Sequence, residues 1–122
     1  MKAKARIWVC RAEQLEEGEY KRVEVFYADD PSSVIVFRSR GNCLAYRNRC
    51  VHMGRDLDCQ EDTIFDDDGE YLRCSMHGVT YDPMTGESLT AMCRGEKLTA
   101  LKVEEDEEGV WLCDKRVKRL EQ

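Results

Sequence analysis

The chain has 122 residues, enough for one domain with its own core and too few for two independent catalytic units. Charged side chains make up 36% of it and the net charge is −6, a balance that favours basic partners and argues against a general nucleic-acid-binding role. No apolar run exceeds four or five residues, far below the roughly 20 that a membrane-spanning helix needs, and the opening MKAKARIWVC has no apolar signal core or small-residue cleavage site; a cytoplasmic protein with no membrane association is the expectation.

Short apolar or alternating runs separated by turn residues predict strands. In chain order these are Ala5 to Cys10, Tyr20 to Ala28, Ser33 to Phe37, Asn42 to Arg47, Glu70 to Arg73, Leu98 to Val103 and Val110 to Cys113. Gly18, Asp30-Pro31-Ser32, Gly41-Asn42, Asp68-Gly69, Pro83 to Gly86 and Glu108-Gly109 supply the turn chemistry between them. Only Arg11 to Glu17 and the tail after Asp114 have helix-like composition, and both are short. Trp8 and Trp111 are expected in the core, and Cys10, Cys43 and Cys113, in apolar runs, as small buried thiols. Cys59 and Cys93 fall in loops, and Lys115 to Arg119 reads as a solvated basic terminus, with a partner contact as the alternative. The acidic run Glu61 to Glu70 reads as a solvated hairpin turning at Asp68-Gly69, with docking to a basic partner as the functional alternative.

Both histidines of the chain stand close behind a cysteine, as Cys50-x-His52 and, after 21 intervening residues, Cys74-x-x-His77. An odd count of seven cysteines does not suit a secreted disulfide framework, and in a reducing compartment cysteines at ligand spacing more often hold a metal. The Cys₂His₂ inventory suits zinc or an iron–sulfur centre. Zinc fingers usually pair like with like, whereas each knuckle here offers one thiol and one imidazole. That mixture serves a dinuclear cluster in which one iron takes both thiolates and the other both imidazoles. Gly54 and Gly78, close behind the histidines, let the backbone turn tightly and aim amide N–H groups at sulfur.

With these knuckles, the lead-in Leu44 to Arg49, the run His77-Gly78-Val79-Thr80-Tyr81-Asp82 and the Thr85-Gly86 turn, the chain resembles a Rieske [2Fe–2S] protein, most closely a soluble Rieske-type ferredoxin. The resemblance implies an all-β fold, an antiparallel sandwich or barrel (about 1–47 and 84–122) with an inserted cluster-binding subdomain (about 48–83). It implies one [2Fe–2S] cluster, with Cys50 and Cys74 on the inner iron and His52 and His77 on the outer iron near solvent. Arg55 and Met76 stand where high-potential relatives carry a disulfide, and Val79 where they carry a serine, while a tyrosine that donates to a ligand sulfur corresponds to Tyr81. Fewer donors leave the reduced, more negative cluster less stabilised, so the potential is expected low in the range of roughly −150 to +300 mV. Ala91 to Gly95 are expected to stand where relatives cover the cluster with a proline-bearing segment.

The implied activity is one-electron transfer from a reductase to a terminal oxygenase or related enzyme. No histidine remains for a mononuclear iron triad, so the chain on its own is expected to be a carrier, not an enzyme. Two alternatives stand beside this reading: the small Rieske-like subunit of a reductase such as nitrite reductase, and a zinc-bound structural or interaction module.

Overall fold

The computed structural model describes residues 6–50, 56–58, 63–66, 69–74, 79–90 and 95–119. Among the described residues nine strands and one short 3-10 turn at Ala12–Gln14 form the regular structure: β1 (Ile7–Cys10), β2 (Tyr20–Tyr27), β3 (Asp30–Ser39), β4 (Asn42–Arg47), β5 (Leu72–Arg73), β6 (Thr80–Tyr81), β7 (Val103–Asp106), β8 (Gly109–Leu112) and β9 (Val117–Arg119). All strand pairs are antiparallel, in a four-stranded sheet of order β4-β3-β2-β9, a three-stranded sheet β1-β8-β7 and the small pair β5-β6. The all-β antiparallel expectation therefore holds. Among the described residues no helix is long and apolar enough to cross a membrane.

The continuous apolar run Val34 to Phe37 has a simple cause: β3 is buried on both faces. Side chains alternate along a strand, so Val34 and Val36 point one way and Ile35 and Phe37 the other. Val34 and Val36 join Val25, Ala45, Val110 and Leu112 in a core facing the three-stranded sheet. Ile35 and Phe37 join Tyr46, Cys50, Cys74 and Tyr81 in a second core on the opposite face. Three layers result, with the four-stranded sheet in the middle.

Hairpin turns set the register of that sheet. Ala28 and Asp29 (φ 49° and 74°) form the two-residue turn between β2 and β3, and Arg40 and Gly41 (φ 52° and 80°) that between β3 and β4, as primed turns require. The Glu17 carboxylate accepts from the Arg40 and Gly41 amides at 3.0 and 2.8 Å, fastening the second turn. The expected turn at Asp30-Pro31-Ser32 is thus displaced by two residues, and β3 already begins at Asp30. Pro31 is tolerated because its pairing with Phe26 is a non-hydrogen-bonded one, and β4 has already ended opposite Val34.

Four other expectations need correction. Leu98 to Val103 is not one strand: Arg47 N–H donates to Thr99 O and Leu101 N–H to Ala45 O, and only from Val103 does the chain enter the three-stranded sheet. The segment turns a corner, with Leu98 in one core and Leu101 in the other. The tail is not helical or merely solvated, because β9 pairs with β2 and Asp114 accepts from the Arg116 guanidinium at 2.8 and 2.7 Å. Trp8 is 46% exposed and Trp111 half-buried; both lie on the outer face of the three-stranded sheet, where Arg6 stacks 4.1 Å from the Trp111 ring centroid. Cys43 is half-buried, while Cys10 and Cys113 are buried as expected.

Candidate metal centre

Two loops converge on the second core. The first leaves β4 at Arg47 and reaches Cys50, and the second joins β5 to β6 beginning at Cys74. Leu72 and Arg73 pair with Tyr81 and Thr80, and the Cys74 amide donates to Val79 O at 2.8 Å, so the second loop is closed across its base. Cys50 and Cys74 are 1% and 0% exposed and belong to the same apolar cluster, walled by Leu57, Ile64, Leu72 and Val79. Tyr81, wholly buried, donates its O–H to Cys50 Sγ at 3.3 Å. Val79 is likewise buried and brings no hydroxyl.

His52 and His77 lie outside the described residues, as do Gly54, Arg55, Cys59, Met76, Gly78, Cys93 and, of the expected cover Ala91 to Gly95, all but Gly95. The flanks of that cover are visible: Leu89 N–H donates to Thr80 O and Thr80 N–H to Thr90 Oγ1, tying Ser88–Thr90 along β6. Of the acidic segment, Ile64 is buried in the core and Phe65 packs against it, and Phe65 pairs with Leu72. Its hairpin turns with Gly69 at φ 73°, while the Asp66 carboxylate accepts from the Glu70 and Tyr71 amides. The solvated-hairpin expectation holds at Gly69 to Tyr71, which are exposed, and fails at Ile64, which points inward; residues 61, 62, 67 and 68, with Asp68 of the expected turn, lie outside the described residues.

An aromatic and polar frame holds these loops. Phe37 stacks on Tyr46 at 5.9 Å between centroids and meets Phe65 edge-on at 6.0 Å; Phe65 in turn meets Tyr20. The Tyr46 hydroxyl donates to Pro83 O at 2.8 Å, and burial, helped by the Asp82 charge, pushes its pKa up to about 12. Asn48 is the residue sequence reasoning passed over. Its Oδ1 accepts from the Leu57 amide at 2.8 Å and its Nδ2 donates to Ser33 Oγ and Asp58 Oδ1. A polar side chain at a strand end, two places before a candidate ligand, was the available signal.

A model of the Rieske [2Fe-2S] domain matches residues 5–108. The chain belongs to the Rieske [2Fe–2S] family. Among solved structures, the Rieske chain is similar to the ferredoxin of carbazole 1,9a-dioxygenase from Nocardioides aromaticivorans IC177, at 22% identity and TM-score 0.69, covering 91% of this chain and 99% of that one. It is also similar to a chain of the complex of reduced oxygenase and oxidized ferredoxin in carbazole 1,9a-dioxygenase, at 26% identity and TM-score 0.73, covering 98% and 100%. Other oxygenase–ferredoxin complexes of carbazole 1,9a-dioxygenase match at 20% identity and TM-score 0.69 through a chain of which this protein spans 28%. A search of curated protein sequences finds no match.

A Rieske domain binds one [2Fe–2S] cluster. The residues fit that group: two soft thiol donors are buried in one apolar cluster, and a phenol hydroxyl addresses one of the sulfurs.

Proposed function

We propose that this Rieske protein is a ferredoxin that accepts one electron from a reductase and passes it to a terminal oxygenase or a related enzyme in the cytoplasm, without transforming a substrate itself. Cys50, His52, Cys74 and His77 hold the cluster, two thiolates on one iron and two imidazoles on the other, within a cluster-binding subdomain of about residues 48–83. When bound, the cluster supplies a one-electron reservoir, raised in potential by neutral imidazoles standing in place of thiolates.

The chain's own residues do the rest. Leu57, Ile64, Leu72 and Val79, all fully buried, exclude water from the two thiols. Tyr81 gives Cys50 Sγ a hydrogen bond that strengthens as negative charge accumulates on sulfur. The observation that carries the reading is this buried pair of cysteines with Tyr81 on one sulfur. Its support is the end-to-end similarity to the ferredoxin from Nocardioides aromaticivorans, against a 28% span of the longer chains.

Iron and acid-labile sulfide in anaerobically purified protein test the cofactor; one [2Fe–2S] cluster per chain is expected, and zinc without sulfide refutes the reading. Electron paramagnetic resonance of the reduced protein tests histidine ligation, which His52→Cys or His77→Cys should abolish with a fall in potential or loss of the cluster. Electron delivery is tested by supplying the reductase and oxygenase of a carbazole 1,9a-dioxygenase system. Oxygenase turnover that requires this chain supports the carrier, and a cluster-loaded chain that an active reductase cannot reduce refutes it.

A further inference from the structure

The first ligand loop is fastened to the four-stranded sheet by a buried carboxylate to which no role has yet been given. The Asp58 side chain is 7% exposed, yet it accepts from three donors on two segments, two on β2 and one just past the end of β4. Tyr20 O–H reaches Oδ2 at 2.9 Å, and Arg22 Nη1 and Asn48 Nδ2 reach Oδ1 at 2.8 and 3.1 Å. Arg22 spreads across the same junction, with Nη2 on Asp56 Oδ2 at 2.7 Å and Nε on Glu24 Oε2 at 2.7 Å. Asn48 closes the loop from the other side through the Leu57 amide, and is itself held to Ser33 by its backbone N–H and its Nδ2.

These bonds share a geometry. Tyr20 and Arg22 alternate on one face of β2, the face toward the core that contains Cys50. Asn48 and Leu57 bracket the loop in which Cys50 and His52 lie, and Asp56 to Asp58 form its return. A carboxylate removed from water is tolerated only while its donors are in place. The three donors meet at Asp58 only when the return of the loop lies against β2, so the charge fixes the place of Asp56 to Asp58.

We propose that Asp58 is a positioning residue which, with Tyr20, Arg22 and Asn48, pins the return of the loop that runs on from Cys50 against β2 and so holds Cys50 in place for the metal centre. The inference rests on the proposed cluster ligation. β2, which contributes no ligand, then becomes part of the centre's support.

The test compares the cluster-loaded parent with Asp58→Asn, Tyr20→Phe and, as control, Arg38→Gln. Arg38 makes an equally well-formed bidentate pair with Glu105, at 3.1 and 2.9 Å, and donates its Nε to Leu15 O at 2.7 Å, but touches neither Cys50 nor the segment Asp56 to Asp58. Asp58→Asn should shift the electron paramagnetic resonance g-values of the reduced protein and speed cluster loss to a chelator about tenfold or more, the size expected for charge-assisted bonds. It should also deprotect the Leu57 amide in hydrogen exchange. Tyr20→Phe should do the same to a smaller degree, and it serves if Asp58→Asn does not fold. Arg38→Gln should lower the melting temperature and leave the spectrum and the loss rate as they are. Unchanged spectra and loss rates in Asp58→Asn and Tyr20→Phe overturn the inference alone, as does an equal effect from Arg38→Gln. A parent protein that holds no cluster overturns both the ligation and the inference.

Discussion

Tyr81→Phe removes one atom from the buried neighbourhood of Cys50 and leaves the aromatic ring in place. The lost contact is the 3.3 Å O–H to Sγ hydrogen bond. Bonds to charged acceptors contribute roughly 1.5–3 kcal/mol, but a potential reports only the difference between oxidation states. The reduced centre carries more negative charge on sulfur and gains more from the donor, so the potential must fall when the donor goes. If about half of that strength is differential, the change is ~0.75–1.5 kcal/mol, or roughly 30–65 mV at about 59 mV per tenfold for one electron. A potentiometric titration followed by circular dichroism measures it. Tyr46→Phe is the matched control, because that hydroxyl lies in the same core but donates to Pro83 O; it should cost stability of about 1 kcal/mol with little change in potential. A Tyr81→Phe protein with intact cluster and the parent's potential refutes the assignment of Tyr81 to sulfur tuning.

Gly86 sits at φ 79°, and an added Cβ would lie 2.8 Å from Tyr46 Cε1. Gly86→Ala should therefore destabilise by about 1–2 kcal/mol from the backbone alone, and by more through displaced Tyr46, as read by urea denaturation. Trp8→Ala should cost only about 1 kcal/mol in the same assay, against roughly 3–5 for a buried aromatic, because Trp8 is 46% exposed. The Arg116 guanidinium, with the Arg116 and Lys102 amides, holds the Asp114 carboxyl well below its usual pKa. Its stabilisation is complete above the unfolded value of about 3.9 and is lost as pH falls through the lower folded value; the gap in melting temperature between parent and Asp114→Asn should accordingly narrow below about pH 4. Stripping the metal should leave β1, β2, β7 and β8 protected in hydrogen exchange while the Leu57 and Cys74 amides become exchangeable, since the core between the two larger sheets contains neither cysteine of the knuckles.

Elements with one dominant local signal were legible in the sequence. β2 and β4 emerge from alternation bounded by turn residues, and β4 matches its expected limits of Asn42 and Arg47. Cys50 and Cys74, singled out by their spacing to the histidines, are buried in one core, and Tyr81, to which the family resemblance assigns a sulfur, donates to Cys50. What escaped depends on contacts far apart in sequence. β6 is two residues long and exists only because Leu72 and Arg73 lie beside it. β9 looked helical because its basic side chains have good helix propensity, a preference overridden by pairing with β2 and by the Asp114–Arg116 clamp. Asp58 looked like one more acid in an acidic chain, and only the fold brings Tyr20, Arg22 and Asn48 to it.

The double burial of β3 explains how a small domain can bury two cysteines from separate loops in one core while keeping a second core for its sandwich. Phe37 and Ile35 form the floor under Cys50 and Cys74, while Val34 and Val36, one residue out of phase, hold the four-stranded sheet to its partner. A one-residue slip of β3 would exchange these sets, lifting the floor and loosening the sandwich together, so register is under pressure from both sides. The Glu17-capped turn at Arg40-Gly41 and the paired turn at Ala28-Asp29 fix that register at both ends of the strand. The first anchors of the two loops sit directly on this frame: Asn48 follows directly from β4, and Cys74 directly from β5.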